Sequence, residues 1–204
     1  MKLYLVRHGQ TPWNKVHRNQ GRSDIPLNEY GRELAAVTGK GLEDVPFDLC
    51  FTSPLKRAKE TAMLILEGRN IPIVEDERLI EISFGDYEGT SWLEDSWDPN
   101  LPKDFMNFFD APEKYNTPPN GESFESLIDR TGDFLNELCK QEENQDKTIL
   151  ISTHGAALMA ILNNIRPVPL KDFWGGGVHK NCAVSEVVVE DGISRIVSEN
   201  KIYY

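Results

Sequence analysis

Short apolar runs of strand length alternate along this 204-residue chain with longer stretches of helical periodicity. Met1–Val6 predicts a first core strand, and a polar loop, Gln10–Pro26, follows it. The segment PLNEYGRELAAVTGKGL predicts a helix with Asn28 as N-cap. FDLCFTSP, Phe47–Pro54, is a short buried strand stopped by proline. PLKRAKETAMLILEG is a helix with Pro54 at its start and Gly68 past its end. IPIVED, Ile71–Asp76, predicts another strand. From Trp92 to Pro119 the periodicity fades into prolines and aromatics, which suggests an insertion over a site, with one short helix around Lys103–Phe109. Beyond it come an amphipathic helix (GESFESLIDRTGDFLNELCKQ), a buried strand (KTILIST), a helix (GAALMAILNNI) and a late strand (CAVSEVVVED) before Gly192. Strands alternating with helices predict an α/β fold, a three-layer α/β/α sandwich with a mostly parallel central sheet. One catalytic domain spanning residues 1–204 is expected, with the insertion at about 92–119 near its site.

Composition narrows the partners. With 39% hydrophobic residues the chain can bury a sizeable core. Its 33 acidic against 22 basic residues give a net charge of −11, which argues against nucleic acid or an anionic membrane surface. No apolar run approaches the roughly 18 residues of a membrane span. Cys50, Cys139 and Cys182 are odd in number and lack CxxC spacing, which fits a reducing compartment, so a soluble cytoplasmic protein is expected. The oligomeric state is left open.

Two strands each end in a histidine and a glycine. LVRHGQTPWN carries Arg7, His8 and Gly9, and TILISTHGAAL carries His154 and Gly155. Ligands of open parallel sheets bind at the carboxyl ends of strands, so His8 and His154 are expected at one edge. FTSPLKRAKET adds Arg57 on the first turns of the helix after Ser53. Arg7, Arg57 and a protonated His154 would repel one another unless an anion lay between them. A phosphoryl group, suited to bidentate arginine, is the natural candidate.

Five ordered blocks, LVRHGQTPWN, RNQGRSDIPLNEYG, FTSPLKRAKETA, LIEISFGDYEG and ISTHG, resemble the histidine phosphatase superfamily, in particular its phosphoglycerate mutase-like branch. The resemblance spans almost the whole chain. It implies a three-layer α/β/α fold and a phosphohistidine mechanism with no metal ion or other cofactor. By motif position His8 resembles the nucleophile, Arg7, Arg57 and His154 the phosphate pocket, and Glu81 the proton donor. Asn14, Gln20 and Gly21 resemble positions that orient the phosphate, with Gly155 among the substrate-binding set.

Chemistry supports these roles. A neutral imidazole can attack phosphorus if its other nitrogen is held, for example by a carbonyl in the Gly9 turn. Arginines and a cationic histidine can stabilise the transferring group. Glu81, beside anionic substrate oxygens, would carry the proton for the departing alkoxide, in competition with Asp76, Glu77, Asp86 and Glu88. His17 and His179 are expected to be ordinary loop residues and WGGGV a mobile loop. For Trp13, Trp92, Phe105, Phe108 and Phe109 core packing is the default over a substrate-facing wall. Glu60 stands where the family commonly has glutamine, a helix-surface change.

The insertion holds Glu94, Asp95, Asp98, Asp104, Asp110 and Glu113 against Lys103 and Lys114. That balance disfavours a second phosphate and predicts a metal-independent phosphomonoesterase acting on a small phosphorylated metabolite. A cofactor-dependent phosphoglycerate mutase is the near alternative and a non-catalytic phospholigand-binding protein the distant one.

Overall fold

The computed structural model describes residues 1–204. The apolar runs assemble into a six-stranded sheet of β1 (Lys2–Arg7), β2 (Leu49–Thr52), β3 (Ile73–Glu75), β4 (Thr148–Thr153), β5 (Val184–Glu190) and β6 (Ile193–Lys201), in the order β3-β2-β4-β1-β5-β6. Strands β3, β2, β4 and β1 pair in parallel, whereas β5 is antiparallel to both β1 and β6. The helices are α1 (Pro12–Lys15), α2 (Glu29–Gly41), α3 (Lys56–Ile65), α4 (Asn107–Asp110), α5 (Phe124–Lys140) and α6 (Gly155–Ile165).

Successive side chains of a strand point to opposite faces, and the two faces carry separate cores. Leu3, Leu5, Ile149 and Ile151 pack with Leu127 and Phe134 of α5 and Leu158 and Ile161 of α6. On the reverse, Val6, Cys50 and Leu150 pack with Leu42 beyond α2 and with Ala62 and Ile65 of α3. The three-layer α/β/α arrangement expected from the sequence is borne out. No helix is long and apolar enough to cross a membrane.

Local chemistry sets the helix ends. Asn28 Oδ1 accepts from Gly31 N (2.7 Å), capping α2, and Ser123 Oγ accepts from Ser126 N (3.2 Å), capping α5. Helix α3 starts at Lys56, later than its proline suggests. Ser53 Oγ takes Leu55 N (3.3 Å) and Asp24 Oδ1, from a distant loop, takes Lys56 N (2.8 Å). The polar loop after β1 contains the unforeseen α1, closed by a Thr11–Asn14 capping box. Around Lys103–Phe109 the expected helix is a 3₁₀ turn, Lys103–Met106, running into α4. Strand β6 was not expected. Its signal is the Asp191-Gly192 pair, both at positive φ (51° and 74°), which turns β5 back as a hairpin.

Register positions the site. Arg7 lies opposite Thr153 in the β1–β4 pairing, and Thr52 opposite Ser152 in the β2–β4 pairing. The next residues, His8, His154 and Ser53, therefore leave the sheet side by side at its carboxyl edge.

Candidate active site

The chain leaving β1 is held from several sides. His8 N donates to Thr153 O, Asn181 Nδ2 to His8 O and Gly9 N to Thr61 Oγ1, each at 2.9 Å. A Cβ on Gly9 would stand 2.5 Å from Gly31 O, so only glycine allows α2 this close. The turn brings Gly9 O to 2.6 Å from His8 Nδ1. Nδ1 therefore carries the proton and the Nε2 lone pair is free. Burial, then the Arg57 and Arg7 charges, holds the imidazole pKa well below the usual histidine value, with the Gly9 carbonyl opposing. Arg7 Nη1 donates to His179 O, while its buried Nε has no partner in the protein. Burial lowers the Arg7 pKa, and Glu81 opposes that shift. A buried guanidinium N–H without an acceptor is costly unless a ligand supplies one.

Arg57 is fully buried. Its Nη1 donates to Ser23 O (2.7 Å), Nη2 to Gly21 O (2.7 Å) and Nε to His154 Nδ1 (3.2 Å). Two of its five N–H groups remain for a ligand. Burial pulls its pKa down to about 10, so it stays cationic at neutral pH. His154 Nε2 lies 2.7 Å from Ser53 Oγ. With Nδ1 accepting, Nε2 is the protonated nitrogen and the ring is neutral. The expected protonated His154 facing the anion is thus corrected: both ring nitrogens are engaged. Burial, then the Arg57 charge, holds the ring's pKa well below the usual value. His154 is not among the residues lining the cavity, and its ring centroid is 5.2 Å from that of His8.

Glu81 is the one carboxylate lining the cavity. Oε1 accepts from Ile82 N and Ala157 N (both 3.0 Å) and Oε2 from Ala156 N (3.2 Å). The last two are first-turn amides of α6, which have no partner within the helix. The Glu81 carbonyl accepts from Arg130 Nη2 (3.2 Å), whose guanidinium is clamped on Glu122, and Thr153 Oγ1 ties down Leu79 O (2.7 Å). The competing carboxylates are engaged elsewhere or exposed. Asp76 pairs with Arg78, Asp86 accepts from Asn120, Glu88 takes Arg22 N and Ser23 Oγ, and Glu77 faces solvent.

These groups open on a cavity of about 420 Å³. Asn14 Oδ1 accepts from Thr11 N (3.1 Å) and Gln20 Oε1 from Thr11 Oγ1 (2.8 Å), which leaves both amide nitrogens free for a ligand. Gly21 adopts φ +50°, and a Cβ there would reach 2.2 Å from Glu88 Oε1. Gly155 opens α6. A Cβ on it would come 3.6 Å from Glu81 Oε2 and 3.7 Å from Arg7 Nε, so glycine keeps that floor clear.

The aromatics divide. Phe105 is core and Trp13 covers Gly89, whereas Trp92, Phe108 and Phe109 line the cavity together with Phe84 and Trp174. WGGGV supplies wall, since Trp174 Nε1 donates to Phe108 O (2.5 Å) and Val178 faces the cavity. Glu94, Asp95, Asp104, Asp110 and Glu113 are exposed outside it, so the insertion meets a ligand with rings rather than with acid groups. Sequence reasoning missed Arg18 and Asn181, which line the cavity, and His179, which is buried and orients Arg7. The HKNC segment reaches the site because β5 runs antiparallel to β1, which brings the start of β5 beside the end of β1.

Residues 3–202 match the histidine phosphatase superfamily (branch 1), and the protein belongs to that family. Phosphoserine phosphatase 1 of Hydrogenobacter thermophilus is 32% identical over 200 residues, covering 98% of this chain and 92% of that one. The 2,3-bisphosphoglycerate-dependent phosphoglycerate mutase 2 of Gloeobacter violaceus is 34% identical over 165 residues, covering 78% and 73%. Among solved structures, Bacillus stearothermophilus YhfR is similar with a TM-score of 0.90 at 36% identity, covering 98% of this chain and 97% of that one. The family expected from the five sequence blocks is borne out, with phosphatases and mutases both among the relatives.

Proposed function

We propose that the protein is a metal-independent phosphomonoesterase that hydrolyses a small phosphorylated metabolite through a phosphohistidine on His8. The observation that carries this is the neutral His8 ring, pinned through Nδ1 to Gly9 O, with its free Nε2 beside two arginines that retain uncommitted N–H groups. Nε2 attacks phosphorus, the N–P bond forms as the ester P–O bond breaks, and Arg7 and Arg57 hold the equatorial oxygens. Asn14 and Gln20 add neutral donors. His154 acts through Arg57 as its positioning residue.

Glu81 passes a proton to the departing oxygen and then, as carboxylate, takes one from the water that breaks the N–P bond. Backbone amides solvate the carboxylate, so the proton is supplied with the incoming phosphate rather than held beforehand. Hydrolysis is favoured over mutase chemistry because the cavity wall beyond the phosphate end is aromatic and offers few cations for a second phosphoryl group.

His8→Ala tests the scheme. It should abolish turnover while leaving the fold intact, and labelled substrate should leave acid-labile, alkali-stable phosphate on the wild type alone. EDTA should have no effect on the rate. With 3-phosphoglycerate and a bisphosphoglycerate primer, phosphate release without 2-phosphoglycerate is expected. Retained activity in His8→Ala overturns the covalent route, and rapid isomer interconversion overturns the phosphatase assignment.

A further inference from the structure

The cavity has a cationic rim that the phosphoryl chemistry does not use. His8 and Arg57 are buried at its base, whereas His17 and Arg18 line the same cavity from exposed positions at its mouth. Arg22, Arg32, Arg78, Arg130 and Arg166 are each paired with a carboxylate, but Arg18 makes no ion pair. Glu81, the one carboxylate in the lining, is tied to α6. In a chain of net charge −11, the rim thus presents a guanidinium whose five donors are all uncommitted.

The position of that guanidinium is built into the backbone. Arg18 N donates to Trp13 O (3.0 Å), and Arg18 bridges to Ser91. Asn19 N donates to Thr90 O (3.0 Å), Gly89 N to Asn19 O (2.7 Å) and Trp92 N to His17 O (3.3 Å). His17 is held at φ +52°, a left-handed conformation that is strained for a residue with a side chain, and its ring stands edge-on to Trp92 at 4.8 Å. These bonds fix Arg18 beside the aromatic wall.

We infer that Arg18 recognises a carboxylate on the body of the substrate. The preferred class is then phosphomonoesters of small hydroxy acids bearing one carboxylate away from phosphorus, with their carbon skeleton against Trp92 and Phe109. One guanidinium matches one carboxylate in charge and fork geometry, whereas a second phosphoryl dianion needs more than one cation. This inference rests on the phosphatase assignment.

Matched pairs test it. O-phosphoserine differs from O-phosphoethanolamine by the carboxylate, and 3-phosphoglycerate carries one where glycerol 3-phosphate has an alcohol. Within each pair, wild type should favour the carboxylate member in kcat/KM. Arg18→Gln should cut that preference about tenfold, mainly through KM, the size of a lost charge-assisted hydrogen bond. Arg18→Lys should recover part of it. An unchanged ratio overturns the assignment, as does a larger Arg18→Gln effect on 2,3-bisphosphoglycerate than on 3-phosphoglycerate. If wild type hydrolyses neither member of a pair, the phosphatase assignment falls. Calorimetric dissociation constants for the same pairs then decide the role of Arg18, and equal affinities refute it.

Discussion

Ser53→Ala removes a single oxygen atom from behind the phosphate pocket. Ser53 is fully buried, and its Oγ faces two donors, His154 Nε2 at 2.7 Å and Leu55 N at 3.3 Å. Alanine orphans both and leaves a gap shielded from solvent. A buried donor without an acceptor costs about 1–3 kcal/mol, and we take about 2 kcal/mol for the shorter bond and little for the longer. At about 2–4 °C per kcal/mol for a chain of this size, the thermal midpoint should fall by about 4–8 °C. His154 cannot escape by moving its proton to Nδ1, because that would set it donor to donor against Arg57 Nε. Arg57 must therefore shift, although Ser23 O and Gly21 O still hold its other end. Full loss of an aligned donor costs about 10²- to 10³-fold in kcat, so a partial displacement should cost about tenfold. Calorimetry and phosphate release from an aryl phosphate measure the two effects on one preparation. A midpoint within about 1 °C of wild type together with an unchanged kcat would refute the neutral, Ser53-bound His154 and restore a cationic one.

Glu81→Gln should slow esters with poor leaving groups by about 10²- to 10⁴-fold and an activated aryl phosphate far less. Equal slowing would show that the carboxylate positions rather than donates. His8 and His154 have pKa values depressed by burial, so below about pH 6.5 the unfolded chain takes up protons that the folded sites refuse. Stability present above that pH is lost as pH falls, by about 1.4 kcal/mol per group between pH 7.5 and 5.5. Denaturant titrations at the two pH values check this, and a flat or reversed trend would contradict neutral buried rings.

The parts of the site that were legible in the sequence sit where local pattern and position coincide. Arg7, His8 and His154 directly follow apolar strands, and Arg57 stands on the first turn of the helix after the next strand end, so sheet geometry alone brings them together. The protonation of His154 was not legible. Three cationic residue types suggested an anion, but the sequence does not show that Nδ1 faces Arg57 Nε. Arg7 is oriented by the main-chain carbonyl of His179, which any residue could supply, so residue type carries no signal there. Arg18 reaches the rim through bonds to residues 89–92, a loop pairing without periodicity. Trp92, Phe108 and Phe109 face inward, whereas the neighbouring Phe105 is core, because irregular turns rather than a repeat decide which ring faces the ligand. Strand β6 was hidden because attention stopped at Gly192, although Asp-Gly between two runs is itself a hairpin signal.

The place of β1 in the sheet has a consequence for folding. Its neighbours are β4 and β5, so Lys2 waits for Thr148 on one side and Val188 on the other. Pairings this distant in sequence form slowly, and until they form the apolar edges of β1 stay open to other chains. A chain synthesised only as far as α5 would already contain His8 and Gly9 but neither Thr153 nor Asn181, the residues whose bonds hold that turn. The nucleophile is thus present early and becomes competent late. Activity recovered from denaturant should therefore lag behind the return of helical signal and report the closing of the sheet around its first strand.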